Sequence, residues 1–173
     1  MCAALRTFAT DRVTYIFAKH NCPVERTVMD TKQQLVNALA GLGSTITEAM
    51  DVIEGFVPCG HPALVVTGAL NALTDGADEA TFAEHVETVR GFIDHVSENR
   101  GVTAHHDIEL GELTGVKAEL FAEISAIANL TKTAGVKNTQ VNEWLYRSLA
   151  ALNKSDATAV DKLAEAAAIK TRL

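Results

Sequence analysis

The stretch Leu35 to Phe56, LVNALAGLGSTITEAMDVIEGF, constrains the fold more than any other part of the chain. Its apolar residues Leu35, Val36, Leu39, Leu42, Ile46, Met50, Ile53 and Phe56 fall at the 3–4 spacing of a helix with one buried face. Gly41-Leu42-Gly43 interrupts that pattern, so the spacing predicts a helix, a tight turn and a second helix. The design recurs. Ala69-Leu70-Asn71-Ala72-Leu73 repeats Leu35-Val36-Asn37-Ala38-Leu39 after 34 residues, and Leu145 to Ala166 lies over Leu35 to Phe56 without a gap. Leu35, Leu39, Ala40, Leu42, Ala49 and Asp51 then face identical residue types at Leu145, Leu149, Ala150, Leu152, Ala159 and Asp161. A period near 34 is the signature of stacked helical hairpins.

Composition agrees with an all-α chain of one domain. Hydrophobic residues make up 47% of the 173 but aromatics only 5%, so the core is built from Ala, Leu, Val and Ile, which favours close helix-on-helix packing. Three prolines and the lack of sustained β-branched alternation leave little room for strands. The chain reads as a single helical-repeat domain over 1–173. Its first ten residues carry Arg6, hydroxyls and no acid, a pattern faintly like an organellar targeting remnant.

Further helices are predicted over Thr10 to His20 (apolar face Val13, Ile16, Phe17), Thr27 to Gly41, Ser44 or Thr45 to Phe56, Ala63 to Thr74 and Glu79 to Asn99. A Thr-x-x-Glu box at Thr45 and Glu48 supports the start of the third. The inward face of the long helix from Glu79 is Phe82, Val86, Val89, Phe92, Ile93 and Val96, and Gly101 closes it. A short helix is expected between Val102 and Gly115, then Val116 to Lys132, Gln140 to Asn153 and a last one to about Thr171. That makes roughly nine helices in antiparallel pairs.

The formal net charge is −7. From Thr31 to Arg100 there are three basic residues, Lys32, Arg90 and Arg100, against ten acidic ones; the first thirty residues carry a net +1 and the remainder −1. So acidic a surface repels phosphate and anionic lipid. Nothing approaches the roughly 18 consecutive apolar residues of a membrane span. Three cysteines, Cys2, Cys22 and Cys59, without a secretory signal point to a reducing compartment.

Two helices per unit, the period and the phrase Glu48-Ala49-Met50-Asp51-Val52-Ile53-Glu54 resemble the pentatricopeptide repeat family, whose first helix reads like Leu35-Val36-Asn37-Ala38-Leu39-Ala40-Gly41-Leu42-Gly43. The unit at 63 to 92 keeps Leu70-Asn71-Ala72-Leu73 and has drifted in its second helix; the unit at 141 to 170 keeps the apolar pattern and has Arg147 where the first has Asn37. The tetratricopeptide repeat shares the period, but only Trp144-Leu145-Tyr146 hints at its first helix. The resemblance implies a short α-solenoid. Most of that family bind single-stranded RNA in organelles through polar residues lining a basic groove. Gln33 and Gln34 could read a base, yet Val66, Thr67 and Gly68 offer little in the next unit, and the charge opposes RNA. By size and acidity the chain also resembles the small pentatricopeptide-like accessory subunits on the catalytic head of mitochondrial ATP synthase in euglenozoan protists. This similarity implies a noncatalytic mitochondrial subunit bound to ATP synthase α subunits, with no cofactor and no membrane insertion.

Two clusters invite a chemical reading. His20-Asn21-Cys22 and Cys59-Gly60-His61 mirror one another in loops flanking the second and third predicted helices, and could meet as a tetrahedral zinc site; a reduced, partly buried cysteine pair is the favoured alternative. His105-His106-Asp107 with Glu109 suggests a metal or acid–base cluster, but adjacent helical residues diverge and no Glu-x-x-His pair recurs, so a solvated loop is preferred. His85 and His95 read as boundary residues of a long amphipathic helix. A nucleophile elbow, a phosphate-cradling glycine loop and a dinucleotide fingerprint are all missing from the sequence.

Overall fold

The computed structural model describes residues 30–56, 58, 60–134 and 138–173, with the side chains of 60–63, 133 and 134 left aside. The predicted helix from Thr10 to His20 lies outside the described residues, as do His20, Cys22 and Cys59. The described residues form six helices and no strand: α1 Thr31–Val52, α2 Gly60–Asp75, α3 Glu79–Arg100, α4 Gly115–Ala134, α5 Thr139–Ala151 and α6 Asp156–Lys170.

The predicted turn at Gly41 to Gly43 is absent. α1 is one helix of 22 residues that runs straight through both glycines. Every residue from Leu35 to Gly43 is buried, so α1 is covered on all sides at its middle, as befits a central helix. The glycines serve close approach instead of a bend. A Cβ on Gly43 would lie 2.6 Å from Leu149 Cβ and 2.8 Å from the Tyr146 carbonyl oxygen on α5, and one on Gly41 would lie 2.2 Å from the His105 carbonyl oxygen. Glycine here removes the side chain that would hold two backbones apart.

α1 packs most extensively against α3 and α5, α4 packs against α6 and α2, and α1 barely touches α2. Elements distant in sequence are therefore neighbours. Consecutive elements also pair, α2 with α3 across Gly76 to Asp78, α5 with α6 across Leu152 to Ser155, and α4 with α5. The stretch Leu145 to Ala166 contains that second turn, whereas Leu35 to Val52, aligned with most of it, is uninterrupted helix. The two stretches share an apolar pattern without sharing a structure.

The remaining helices follow their sequence signals. Phe82, Val86, Val89, Ile93 and Val96 are the buried stripe of α3, with Phe92 only partly covered. Asp78 caps its start by accepting from Thr81 N at 2.8 Å, and Gly101 closes it at φ 65°. Asn138 and Ser155 cap α5 and α6. Trp144 donates from Nε1 to the Lys162 carbonyl at 3.2 Å and ties α5 to α6; an ion pair between Lys170 and Glu123 ties α6 to α4. Buried side chains from all six helices join one core, together with Val102 and Ile108 from the segment between α3 and α4.

Candidate functional site

That segment, residues 102–114, is not helical, and the short helix expected there is absent. It is a strap laid along α1 in the opposite direction. Thr103 donates from its backbone N and its Oγ1 to Glu48 Oε1 at 3.1 and 3.0 Å. His105 N donates to Thr45 Oγ1 at 3.1 Å, and the His105 carbonyl lies over Gly41. Leu110 N donates to Asn37 Oδ1 at 3.1 Å. Gln33 Nε2 reaches the Leu110 carbonyl at 3.1 Å and Asn37 Oδ1 at 3.0 Å.

The α1 partners are Gln33, Asn37, Gly41, Thr45 and Glu48, which recur at intervals of four, four, four and three residues. That is a single stripe along a helix. A strap without ladder partners must have its backbone groups satisfied elsewhere, and this stripe provides for several of them. Asn37, Gly41, Thr45 and Glu48 all belong to motifs that the sequence assigns to repeat phrases, a turn and a capping box. Their common spacing, read as one polar stripe inside an otherwise apolar helix, was the available signal.

His105 and His106 do not form a cluster. His105 Nε2 lies 2.8 Å from Glu48 Oε2, and His106 Nε2 lies 2.7 Å from Asp94 Oδ1 on α3. An ionised carboxylate only accepts, so each of these ring nitrogens carries the proton. The His105 hydrogen bond, followed by that from Thr103 N, holds the Glu48 carboxyl below its ordinary pKa. The loop expected to be solvated is thus packed at Val102 and Ile108 and pinned at both histidines. Among the described residues there is no group of three or more His, Cys, Asp or Glu side chains placed to hold a metal ion. The His20, Cys22, Cys59 and His61 arrangement lies outside the described side chains. His85 is half-buried and His95 is exposed beside Asn99.

A second polar knot joins α1 to α5. Arg147 Nη2 lies 2.9 Å from Asp51 Oδ1 and its Nε 3.0 Å from Glu143 Oε1. Burial works against the guanidinium's charge, but the two carboxylates outweigh it and raise its pKa above the ordinary value. Under the strap is a small cavity of about 170 Å³ lined by Arg90, His106, Asp107, Glu109, Gln34 and Asn37, where one guanidinium stands among two carboxylates. Arg90 is also 3.6 Å from Glu87.

The outer side of α3 has a different character. Glu79, Glu84, Glu87, Asp94 and Glu98 are exposed along it, with Asp78 on the preceding turn and Asp75 at the end of α2, against Arg90 and Arg100 alone. No helix among the described residues is long and apolar enough to cross a membrane. No protein-family model, curated protein or solved structure matches the chain.

Proposed function

We propose that this protein is a noncatalytic, protein-binding subunit of a larger assembly, and that the acidic outer side of α3 is its docking face. The observation that carries the reading is the placement of charge. Six exposed acidic residues line one helix and its entry turn, with a seventh, Asp75, at the end of α2, while the apolar stripe of the same helix is consumed by the core. A face of that kind steers and orients a basic partner surface. Within this reading the pairs α2/α3 and α5/α6 are hairpins of a pentatricopeptide-type scaffold, and α1, packed against α3 and α5, departs from a simple stack. Within that reading the assembly is mitochondrial, and the partner is the α subunit on the ATP synthase catalytic head.

RNA binding is disfavoured by one specific observation: the Gln33 amide, the foremost candidate for reading a base, is spent on the Leu110 carbonyl and on Asn37. The test is capture of the tagged chain from mitochondria in mild detergent, with and without nuclease. ATP synthase α and β subunits should be recovered whether or not nuclease is added, and the triple variant Glu79→Lys, Glu84→Lys, Glu87→Lys should lose them. Recovery of RNA-processing proteins that disappears on nuclease treatment would overturn the reading.

A further inference from the structure

The cavity beneath the strap holds charges of both signs that do not pair. Arg90 from α3 lines the same small space as Asp107 and Glu109 from the strap. Burial alternates there: Asp107 is exposed, Ile108 buried and Glu109 exposed, so both carboxylates stay on the outer side while Ile108 joins the core. Opposite charges attract strongly across so short a space. Yet among the described residues Arg90 pairs only with exposed Glu87, at 3.6 Å, and the two strap carboxylates make no hydrogen bond or ion pair at all. His106, which also lines the cavity, adds an unmet acceptor: with Nε2 held on Asp94, its Nδ1 is buried and has no partner. The remaining wall includes Ala38, Ile93 and Ile108, all buried, so a charged rim stands over an apolar floor.

We propose that this cavity binds a free α-amino acid with a short aliphatic side chain. Its carboxylate pairs with the Arg90 guanidinium, whose planar fork matches that group. Its ammonium carries three donors and no acceptor, which suits two carboxylates and an imidazole nitrogen. A simple anion would meet the carboxylates and a simple cation the guanidinium, so only a molecule with both charges satisfies the whole rim. The side chain lies on Ile93 and Ala38. A volume of about 170 Å³ is below the roughly 300–1,000 Å³ of sites for drug-sized ligands, which restricts the occupant to a few heavy atoms and rejects a large aromatic side chain. The site draws only Arg90 and Ile93 from α3 and does not depend on the protein partner proposed for that helix.

Titration of the ¹⁵N-labelled full chain with L-valine, followed through its amide signals, tests this. The signals of Arg90 and of His106 to Glu109 should shift and saturate. N-acetyl-L-valine, which lacks the ammonium, and L-valinamide, which lacks the carboxylate, should each bind about tenfold more weakly or worse, as loss of a charged hydrogen bond implies. L-tryptophan should not bind. Arg90→Gln, and separately Asp107→Asn combined with Glu109→Gln, should weaken valine binding by a similar factor, with circular dichroism confirming that each variant is folded. Shifts that grow in proportion to added valine without saturating would overturn the proposal and leave the cavity to water. So would equal binding of valine and its two blocked forms, or undiminished binding by either folded variant.

Discussion

At the scale of single residues, three glycines in helices behave in opposite ways. Gly43 sits where a methyl group would meet α5 backbone atoms, 2.7 Å from Ala150 N and 2.8 Å from Tyr146 O, so Gly43→Ala forces two helices apart. Overpacking of this sort costs about 1–3 kcal/mol. Gly41→Ala should be at least as damaging, since the obstacle is the His105 carbonyl on the strap. Gly91 on α3 is exposed and a Cβ there meets nothing within 4 Å. Gly91→Ala should therefore stabilise the protein by about 0.5–1 kcal/mol through helix propensity. Urea denaturation followed by Trp144 fluorescence measures all three, and the sign difference is the informative result.

Glu48 supplies the pH dependence. Its carboxyl is held below the ordinary glutamate range by His105 and then by Thr103, so its contribution is fully present above the unfolded-state pKa. It is lost as pH falls through the lowered folded value. Glu48→Gln should flatten the acid side of the stability profile, measured as urea midpoints from about pH 6 downward. An unchanged acid limb would mean that Glu48 does not hold the strap.

At the scale of elements, the strap and α1 are one unit. Asn37→Ala leaves the Leu110 N–H without its acceptor, a loss of about 1–3 kcal/mol for a partly buried donor. Gln33→Ala removes the bonds to Leu110 and Asn37 together, so Gln33 at the start of α1 matters to the fold. The double variant should cost less than the sum of the singles, because the two side chains share a bond. Hydrogen exchange at the Leu110 amide should accelerate in each. In the core, Ile93→Ala should cost about 2–5 kcal/mol, as expected for a fully buried side chain.

At the scale of the molecule, what could be read in advance divides by range. Helices with one apolar stripe and sharp caps, such as α3 from Asp78 to Gly101 and α6 from Ser155, were legible because period and cap are local. Gly41 suggests a break in sequence because glycine has two uses, turning a chain and letting backbones touch; only the position of α5 and the strap decides between them. The pinning of the strap's histidines is hidden from local sequence for the same reason, since Glu48 and Asp94 lie 57 and 12 residues away in the chain. For the docking face, replacing Glu79, Glu84 and Glu87 by Lys should shift stability by no more than about 0.5 kcal/mol, because surface changes seldom do more. Binding should fail while the fold persists, and circular dichroism beside the capture assay separates the two.

The unbroken α1 beneath its strap is the feature from which the rest of the architecture follows, and an NMR assignment of Gly41 to Gly43 tests it most directly. Helical secondary shifts with slowly exchanging amides at all three residues, and nuclear Overhauser contacts between the Gly41 Hα protons and His105, are the predicted result. Turn-like shifts, rapid exchange and no contact with His105 would contradict a continuous α1 and restore the hairpin that the sequence alone suggests.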